Sequence, residues 1–381
     1  MNIINGLVFD LKEGFKAREL YTDQDRIAER SGDDRTIDAS GCYIIPGLVD
    51  LHFHGAVGED FSDASPEGLQ KIAEYQLSEG VTYICPASMT LPEDQLTAIC
   101  RNAASHRRNA SSGAELVGIH LEGPFLSMAK KGAQNGEFLH APDTAMLRRL
   151  QQAAEGAVKL VTIAPEEPGG MDFVRNAVQD GITVSVGHTT ADYETAAQAY
   201  RMGASHVTHL YNGMPPHHHR EPAVIGAAFD APHVKAELIC DGIHLHDATV
   251  RMAFQLFTAR RIILISDSLR ATGMPDGTYP FGGQEIEVCG NRATIAGHPE
   301  TLAGSVTSLM GCVRKAVELG IPLADAIRTA SFNPAEVLKI DHRAGSLDVG
   351  KEASMVLLNK DDLSIRTVIF KGQEVKHEQT P

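Results

Sequence analysis

Eight short runs of Val, Ile and Leu, each ending in polar residues able to do chemistry, dictate most of what this chain can fold into. They are LVDLHFH (48–54), VTYICPAS (81–88), LVGIHLEG (116–123), VKLVTIAPE (158–166), ITVSVGH (182–188), ASHVTHL (204–210), AELICDGIH (236–244) and RIILISDS (261–268). Runs this short and this apolar read as strands buried on both faces. Their starts lie 22 to 42 residues apart, which suits a strand, a crossover helix and two loops. Amphipathic stretches such as 66–80 and 193–203 fill the gaps, the second with alanines on a helical period. Alternating strands and helices predict an α/β fold with a parallel sheet covered on both faces, and eight units predict a (β/α)8 barrel, the TIM barrel.

The ends of the chain follow another pattern. Residues 1–45 and 344–381 alternate apolar and polar positions between Gly-containing turns, and are expected to pair into one small β-sandwich domain beside a catalytic barrel of residues 46–343. A length of 381 residues accommodates this, because a single barrel takes roughly 250. A β-hairpin is expected over 279–295, and the last barrel helix over 305–319.

Charge and composition exclude several classes of function. With 34 Lys and Arg against 49 Asp and Glu, the net charge is −15, which disfavours binding to nucleic acid or to an anionic membrane surface but admits small anions. The chain is 43% hydrophobic and has no run near the roughly 18 apolar residues of a membrane span. The opening MNIINGLVFDLKEG lacks a basic segment followed by an apolar core, so a cytoplasmic protein is expected. Cys42, Cys85, Cys100, Cys240, Cys289 and Cys312 stand singly, without a CxxC pair, and read mostly as reduced core residues. The unusual count is 17 histidines with no tryptophan.

Where those histidines fall carries the function. A barrel builds its active site from the carboxyl ends of its strands. The first run ends His52-Phe53-His54, and the period of two puts both imidazoles on one face. Glu122, His188, His209 and Asp267 occupy the ends of the third, fifth, sixth and eighth runs. Each alone has an ordinary structural reading, as a core histidine, a buried ion pair or a helix cap. Together, four imidazoles and two carboxylates near one axis would be costly to bury without a cation, so a bound divalent metal is expected.

PGLVDLHFHG (46–55), GHT (187–189), THLYNGM (208–214) and SDS (266–268) resemble the amidohydrolase superfamily of metal-dependent hydrolases. HLEGPF (120–125), KKGAQ (130–134), HHHREP (217–222), DGIH (241–244) and TLAGS (301–305) are similar to its N-acetylglucosamine-6-phosphate deacetylase family, and the likeness runs along essentially the whole chain. It implies hydrolysis of an amino-sugar phosphate, N-acetyl-D-glucosamine 6-phosphate, to D-glucosamine 6-phosphate and acetate, in amino-sugar catabolism and cell-wall sugar recycling. The alternatives are the galactosamine epimer, another hydrolase of the superfamily, or a non-catalytic scaffold, which should have lost ligands that this chain retains.

The resemblance also implies roles. Glu122, His188 and His209 would hold a principal ion, zinc, iron(II) or similar, and His52, His54 and Asp267 with Glu122 a second. Asp267 would be the general base. Gln134, Asn212, Gly213, Arg220, His244, Leu302, Ala303 and Gly304 would line the substrate site. Phosphate would be met by His244 and the exposed run His217 to Arg220, with Arg220 reaching the neighbouring site of a homodimer. Three departures matter. The fourth run ends Ala164-Pro165-Glu166, without the modified lysine of many members, which leaves Glu122 to bridge. Gln134 stands where many relatives have a histidine, and Gly213 replaces a frequent alanine, a change expected to matter little. His106, His140, His206, His233, His298, His342 and His377 are expected to be structural.

Overall fold

All eight apolar runs form strands, and the strands lie in sequence order in a curled parallel sheet. In this computed structural model residues 1–375 are described; 376–381, the end of the expected C-terminal β segment and the position of His377, lie outside the described residues. The strands are Leu48–Asp50, Val81–Ile84 continued by Ala87–Ser88, Glu115–Leu116 continued by Ile119–Glu122, Val158–Ile163, Thr183–Val186, His206–Val207, Lys235–Ile239 and Ile262–Ile265. Each pairs in parallel with the next, with registers such as Ile84↔Leu116, Leu121↔Val161 and Ile239↔Ile265. The second run breaks at Pro86, which has no N–H to give to a ladder. Past the last strand, Asp267 N donates to His52 O at 3.0 Å and His54 N to Ser268 O at 2.7 Å, so the ends of the first and eighth runs are hydrogen-bonded to each other.

A helix follows every strand on the outer face: Pro66–Ser78, Glu93–Asn109, Thr144–Ala153, Gly170–Gln179, Tyr193–Arg201, Ala223–Asp230, Asp247–Arg261 and Leu309–Glu318. Several begin at side-chain caps that the sequence supplies. Ser65 accepts from Gly68 N, Asp192 from Thr195 N and Ser308 from Gly311 N. The last helix therefore starts at Leu309 rather than at 305. Ser305 is used elsewhere: its hydroxyl donates to Ser266 O at 2.6 Å, which ties that turn to the end of the eighth run.

The inside of the curled sheet is packed solid. Val49, Leu51, Tyr83, Cys85, Leu160, Ile239, Ile263 and Ile265 fill it, and Ala335 and Leu338, from and just after the helix Phe332–Val337, pack against its lower end. One end is thus plugged by apolar side chains and the other carries the polar strand ends. Cys289 is exposed, whereas the other five cysteines are buried.

Strands from the two chain ends share a sheet. Cys42–Pro46 runs parallel to Leu7–Asp10 on one side and antiparallel to Met355–Asn359 on the other, with Ile44↔Leu357 in register. A second, four-stranded sheet contains Asn2–Ile4 and Leu20–Asp23, and Ile3, Val8, Leu20, Ile44, Leu357 and Ile369 form one buried cluster. The expected hairpin over 279–295 is larger than its sequence pattern indicated. Gly277–Phe281, Gln284–Cys289, Arg292–Ile295 and His298–Leu302 make a four-stranded antiparallel sheet. The fourth strand escapes a hydrophobic pattern because His298, Pro299 and Glu300 are exposed, although it ends at Leu302 in the cavity described below.

Candidate metal centre

Glu122, on the third strand, is the hub on which the other groups converge. Its Oε1 lies 3.1 Å from His188 Nε2, 3.1 Å from His209 Nε2 and 3.3 Å from His52 Nε2, and its Oε2 lies 3.2 Å from His54 Nε2. Asp267 Oδ1 is 3.3 Å from His54 Nε2 and 3.9 Å from His52 Nε2. All six side chains are buried.

Of the six only Glu122 is a strand residue, which corrects the expectation drawn from the apolar runs: His52 and His54 follow the strand that stops at Asp50. The strands stop at Val186, Val207 and Ile265, and His188, His209 and Asp267 follow with φ of 46°, 27° and 49°. Left-handed backbone is unfavourable for these residues, and it aims each side chain into the mouth of the sheet. Hydrogen bonds hold two of the turns: Ser305 N donates to Asp267 O at 2.7 Å, and His209 N to a carboxylate oxygen of Glu237 at 3.1 Å.

The far nitrogen of every imidazole is occupied. Nδ1 of His54, His188 and His209 faces a backbone carbonyl, of Ala87 (3.2 Å), Lys130 (2.8 Å) and Asn212 (3.1 Å). Nδ1 of His52 faces Glu237 Oε2 at 2.8 Å. A carbonyl can only accept, so those three rings are protonated at Nδ1, and the neutral form presents an Nε2 lone pair to the centre. His188 Nε2 and His209 Nε2 are 3.0 Å apart, and two lone pairs cannot hydrogen-bond to each other; His52 Nε2 is buried without a hydrogen-bond partner. This donor set fits a divalent metal, with imidazole nitrogen and carboxylate oxygen suited to zinc or iron(II).

The electrostatics agree. Burial opposes ionisation of Glu122, but the surrounding imidazoles, His52 foremost, hold its carboxyl well below the usual range. Asp267 is lowered too, against burial, by its hydrogen bond with His54. Burial disfavours charge on His54, yet hydrogen bonds to Asp267 and Glu122 push it up to about 10. The carboxylates thus favour positive charge beside them, and His52 and His54 hold their protons more tightly than an ordinary histidine.

A cavity of about 350 Å3 opens on this cluster. Of the residues expected at the substrate, Gln134, Asn212, Gly213, His244, Leu302 and Gly304 line it. Gln134 also reaches the hub directly, donating from Nε2 to Glu122 Oε2 at 2.8 Å. Ala303 does not line the cavity: its methyl is buried in the apolar cluster of Met89, Leu269 and Phe281. Arg220 is exposed, stands on a separate cleft beside Tyr193 and Pro216, and contacts His219 Nε2 at 2.7 Å. Gly213 sits close against the two imidazoles. Its φ is +61°, and a Cβ there would lie 3.1 Å from His188 Nδ1 and 3.3 Å from His209 Cε1.

Sequence reasoning missed several neighbours. Phe281 packs edge-on against the His54 ring at 5.6 Å, and Met89 and Glu300 also line the cavity. Glu237 is fully buried, where the surrounding AELI run reads as plain strand; a lone carboxylate in an apolar strand was the available signal. His206, read as structural, donates from Nε2 to Glu237 Oε1 at 3.0 Å.

Known proteins share this arrangement of sequence and fold. A family model described as amidohydrolase family matches residues 43–375. The chain is 39% identical to an N-acetylglucosamine-6-phosphate deacetylase of Bacillus subtilis, over 85% of this chain and 83% of that one. It is 35% identical to an N-acetylgalactosamine-6-phosphate deacetylase of Escherichia coli O157:H7, over 87% of each. Among solved structures, a mutant of the N-acetyl-D-glucosamine-6-phosphate deacetylase of Mycobacterium smegmatis, in complex with N-acetyl-D-glucosamine-6-phosphate, superposes with a TM-score of 0.91 at 32% identity, covering 98% of both chains. With its ligand-bearing strand ends and nearly its whole length inside the family model, the chain belongs to the amidohydrolase family.

Proposed function

We propose that the protein hydrolyses N-acetyl-D-glucosamine 6-phosphate to D-glucosamine 6-phosphate and acetate, within amino-sugar catabolism and cell-wall sugar recycling. The observation that carries this reading is the convergence of four Nε2 atoms and Asp267 on Glu122 at the floor of a cavity, in a chain whose relatives over most of their length are named for that reaction. The same reading takes the curled sheet as a (β/α)8 barrel of residues 46–343, with 1–45 and 344–381 as a small β-sandwich domain.

Glu122, His188 and His209 would hold one divalent ion, and His52, His54 and Asp267 with Glu122 a second. A bound divalent ion supplies Lewis acidity, polarising the acetyl carbonyl and lowering the pKa of water toward neutrality. Asp267 takes the proton from the attacking water and delivers it to the departing sugar nitrogen, which leaves only as an amine. His54 Nε2 stands 3.3 Å from that carboxylate, so the two would serve the same ion. His244, its Nδ1 on Asp241 Oδ2 at 2.7 Å, serves the phosphate end together with Asn212. Arg220, exposed and outside its own chain's cavity, completes the phosphate site of a second subunit in a homodimer.

Acetate release from the phosphorylated and the unphosphorylated sugar, with and without a chelator, tests the reading. Activity should need the phosphate, vanish with chelator and return with added zinc or iron(II). No activity on either sugar with metal restored overturns it. An Arg220→Ala variant with unchanged KM for the phosphorylated substrate removes that residue from the site. The galactosamine epimer is the second reading, favoured by the Escherichia coli relative's name, and the ratio of kcat/KM for the two epimers decides between them.

A further inference from the structure

Beneath the centre lies a carboxylate that no step above uses. Glu237, in the strand Lys235–Ile239, is fully buried and takes three contacts: His52 Nδ1 at 2.8 Å and His209 N at 3.1 Å, both on Oε2, and His206 Nε2 at 3.0 Å on Oε1. It therefore touches one residue from each half of the centre, the ring of His52 and the strained backbone of His209. The two attachments are not equivalent. The His209 ring has its own partner in Asn212 O, just as His54 and His188 have theirs in Ala87 O and Lys130 O. Of the four imidazoles, His52 is the one whose Nδ1 is held by a charged group. A carboxylate behind an imidazole fixes the ring and its tautomer and makes Nε2 a stronger donor to a metal.

We infer that Glu237 is a positioning residue that sets the affinity of the His52 side of the centre, so that loss of its charge releases the ion held by His52, His54 and Asp267 before the ion held by Glu122, His188 and His209. The inference rests on the two-ion reading above. Glu237→Gln suits the test because an amide oxygen at the Oε2 position still accepts from His52 Nδ1 and His209 N, while the amide NH2 donates to His206 Nε2 once that ring carries its proton on Nδ1, which has no hydrogen-bond partner. The shape is kept and the charge is removed.

Metal content by elemental analysis and stepwise affinity by competition with a chromophoric chelator, using Zn2+, should show two ions in the wild type. In E237Q the weaker ion should bind about 10- to 100-fold less tightly, with the tighter one within threefold. The Co2+-substituted protein should lose the absorption of one site and keep that of the other. His206→Gln disturbs the same buried pocket without removing the carboxylate, and should leave both ions within threefold; a loss as large as that of E237Q would mark a general packing effect and overturn the inference. If E237Q does not fold, Glu237→Asp, which draws the carboxylate back by one methylene and so takes its charge away from His52 Nδ1, should show the same selective loss. Two ions bound with wild-type affinity in E237Q, or in E237D where that is the variant measured, overturn the inference alone. A wild type that binds a single ion overturns the two-ion reading and this inference with it.

Discussion

Gln134 bridges Glu122 to the backbone of the second strand's loop: its Nε2 donates to Glu122 Oε2 at 2.8 Å, and its Oε1 accepts from Thr90 N at 2.7 Å. The orientation of the amide is determined by its partners, since an N–H needs an acceptor and a carboxylate needs a donor. Gln134→Met removes both bonds at nearly constant volume and leaves a buried N–H unpaired. Stability should fall by about 1–3 kcal/mol, read by denaturant titration, and metal affinity about tenfold through the loosened carboxylate, read by chelator competition.

Asp267→Asn keeps the shape of the side chain and its reach toward His54, but cannot accept a proton. Turnover should drop by about 10²- to 10⁴-fold while substrate affinity and the ion held by Glu122, His188 and His209 stay within threefold; the second ion, which loses a carboxylate ligand, should bind more weakly. Elemental analysis, calorimetric titration with the phosphorylated sugar and initial rates check the three quantities. Near-normal turnover would remove Asp267 as the general base.

His244 gives the site a signature in pH. Burial works against its charge, but the hydrogen bond to Asp241 and attraction to that carboxylate prevail and hold its pKa above the ordinary histidine value. A raised histidine pKa means that the cation persists past the ordinary value and is lost as pH rises through the raised one. KM for the phosphorylated sugar should therefore climb over that alkaline interval in the wild type. In His244→Gln it should start several-fold higher and show no such climb, while the unphosphorylated sugar is unaffected by the change.

Arg343 joins the lower end of the curled sheet to the C-terminal strands. Its guanidinium contacts Glu115 at 2.6 and 3.2 Å and Glu352 at 2.9 Å, and Lys371 Nζ reaches the same Glu115 at 2.6 Å. Burial raises the Glu115 carboxyl, but its hydrogen bonds with Arg343 and Lys371 outweigh that and lower it. A lowered carboxyl contributes stability above its ordinary pKa and loses it as pH falls through the lowered one. Arg343→Met should cost about 2 kcal/mol at neutral pH, less than a fully buried pair because the side chain is about a fifth exposed. Its acid-unfolding midpoint should also move to higher pH.

The converging cluster was legible because strand ends are marked in sequence: an apolar run that stops at His, Glu or Asp names both the strand and the residue at its mouth. His52, His54, Glu122, His188, His209 and Asp267 all converge as that rule requires. What stayed hidden depended on tertiary geometry. The positive φ of His188, His209 and Asp267 leaves no trace in hydrophobic periodicity, and the value of Gly213 appears only once the two imidazoles beside it are in place. Glu237 was passed over because its neighbours are apolar, and its partners lie 28 to 185 residues away in sequence. The fourth strand of the 277–302 sheet pairs through backbone alone, with exposed side chains that carry no strand pattern.

The pairing of Cys42–Pro46 with Met355–Asn359 sets the order of events during synthesis. Cys42–Pro46, which precedes the first barrel strand Leu48–Asp50, lacks one of its two neighbours until the ribosome has made almost the entire chain. All six ligands are encoded between positions 52 and 267, so a chain cut short at residue 340 would contain every one of them. It would still lack Met355–Asn359, the antiparallel neighbour of Cys42–Pro46. Long-range pairing of this kind is slow and comes late. The sheet that joins the two chain ends is thereby the last part of the fold to be completed, after every residue of the strand-end cluster has been made.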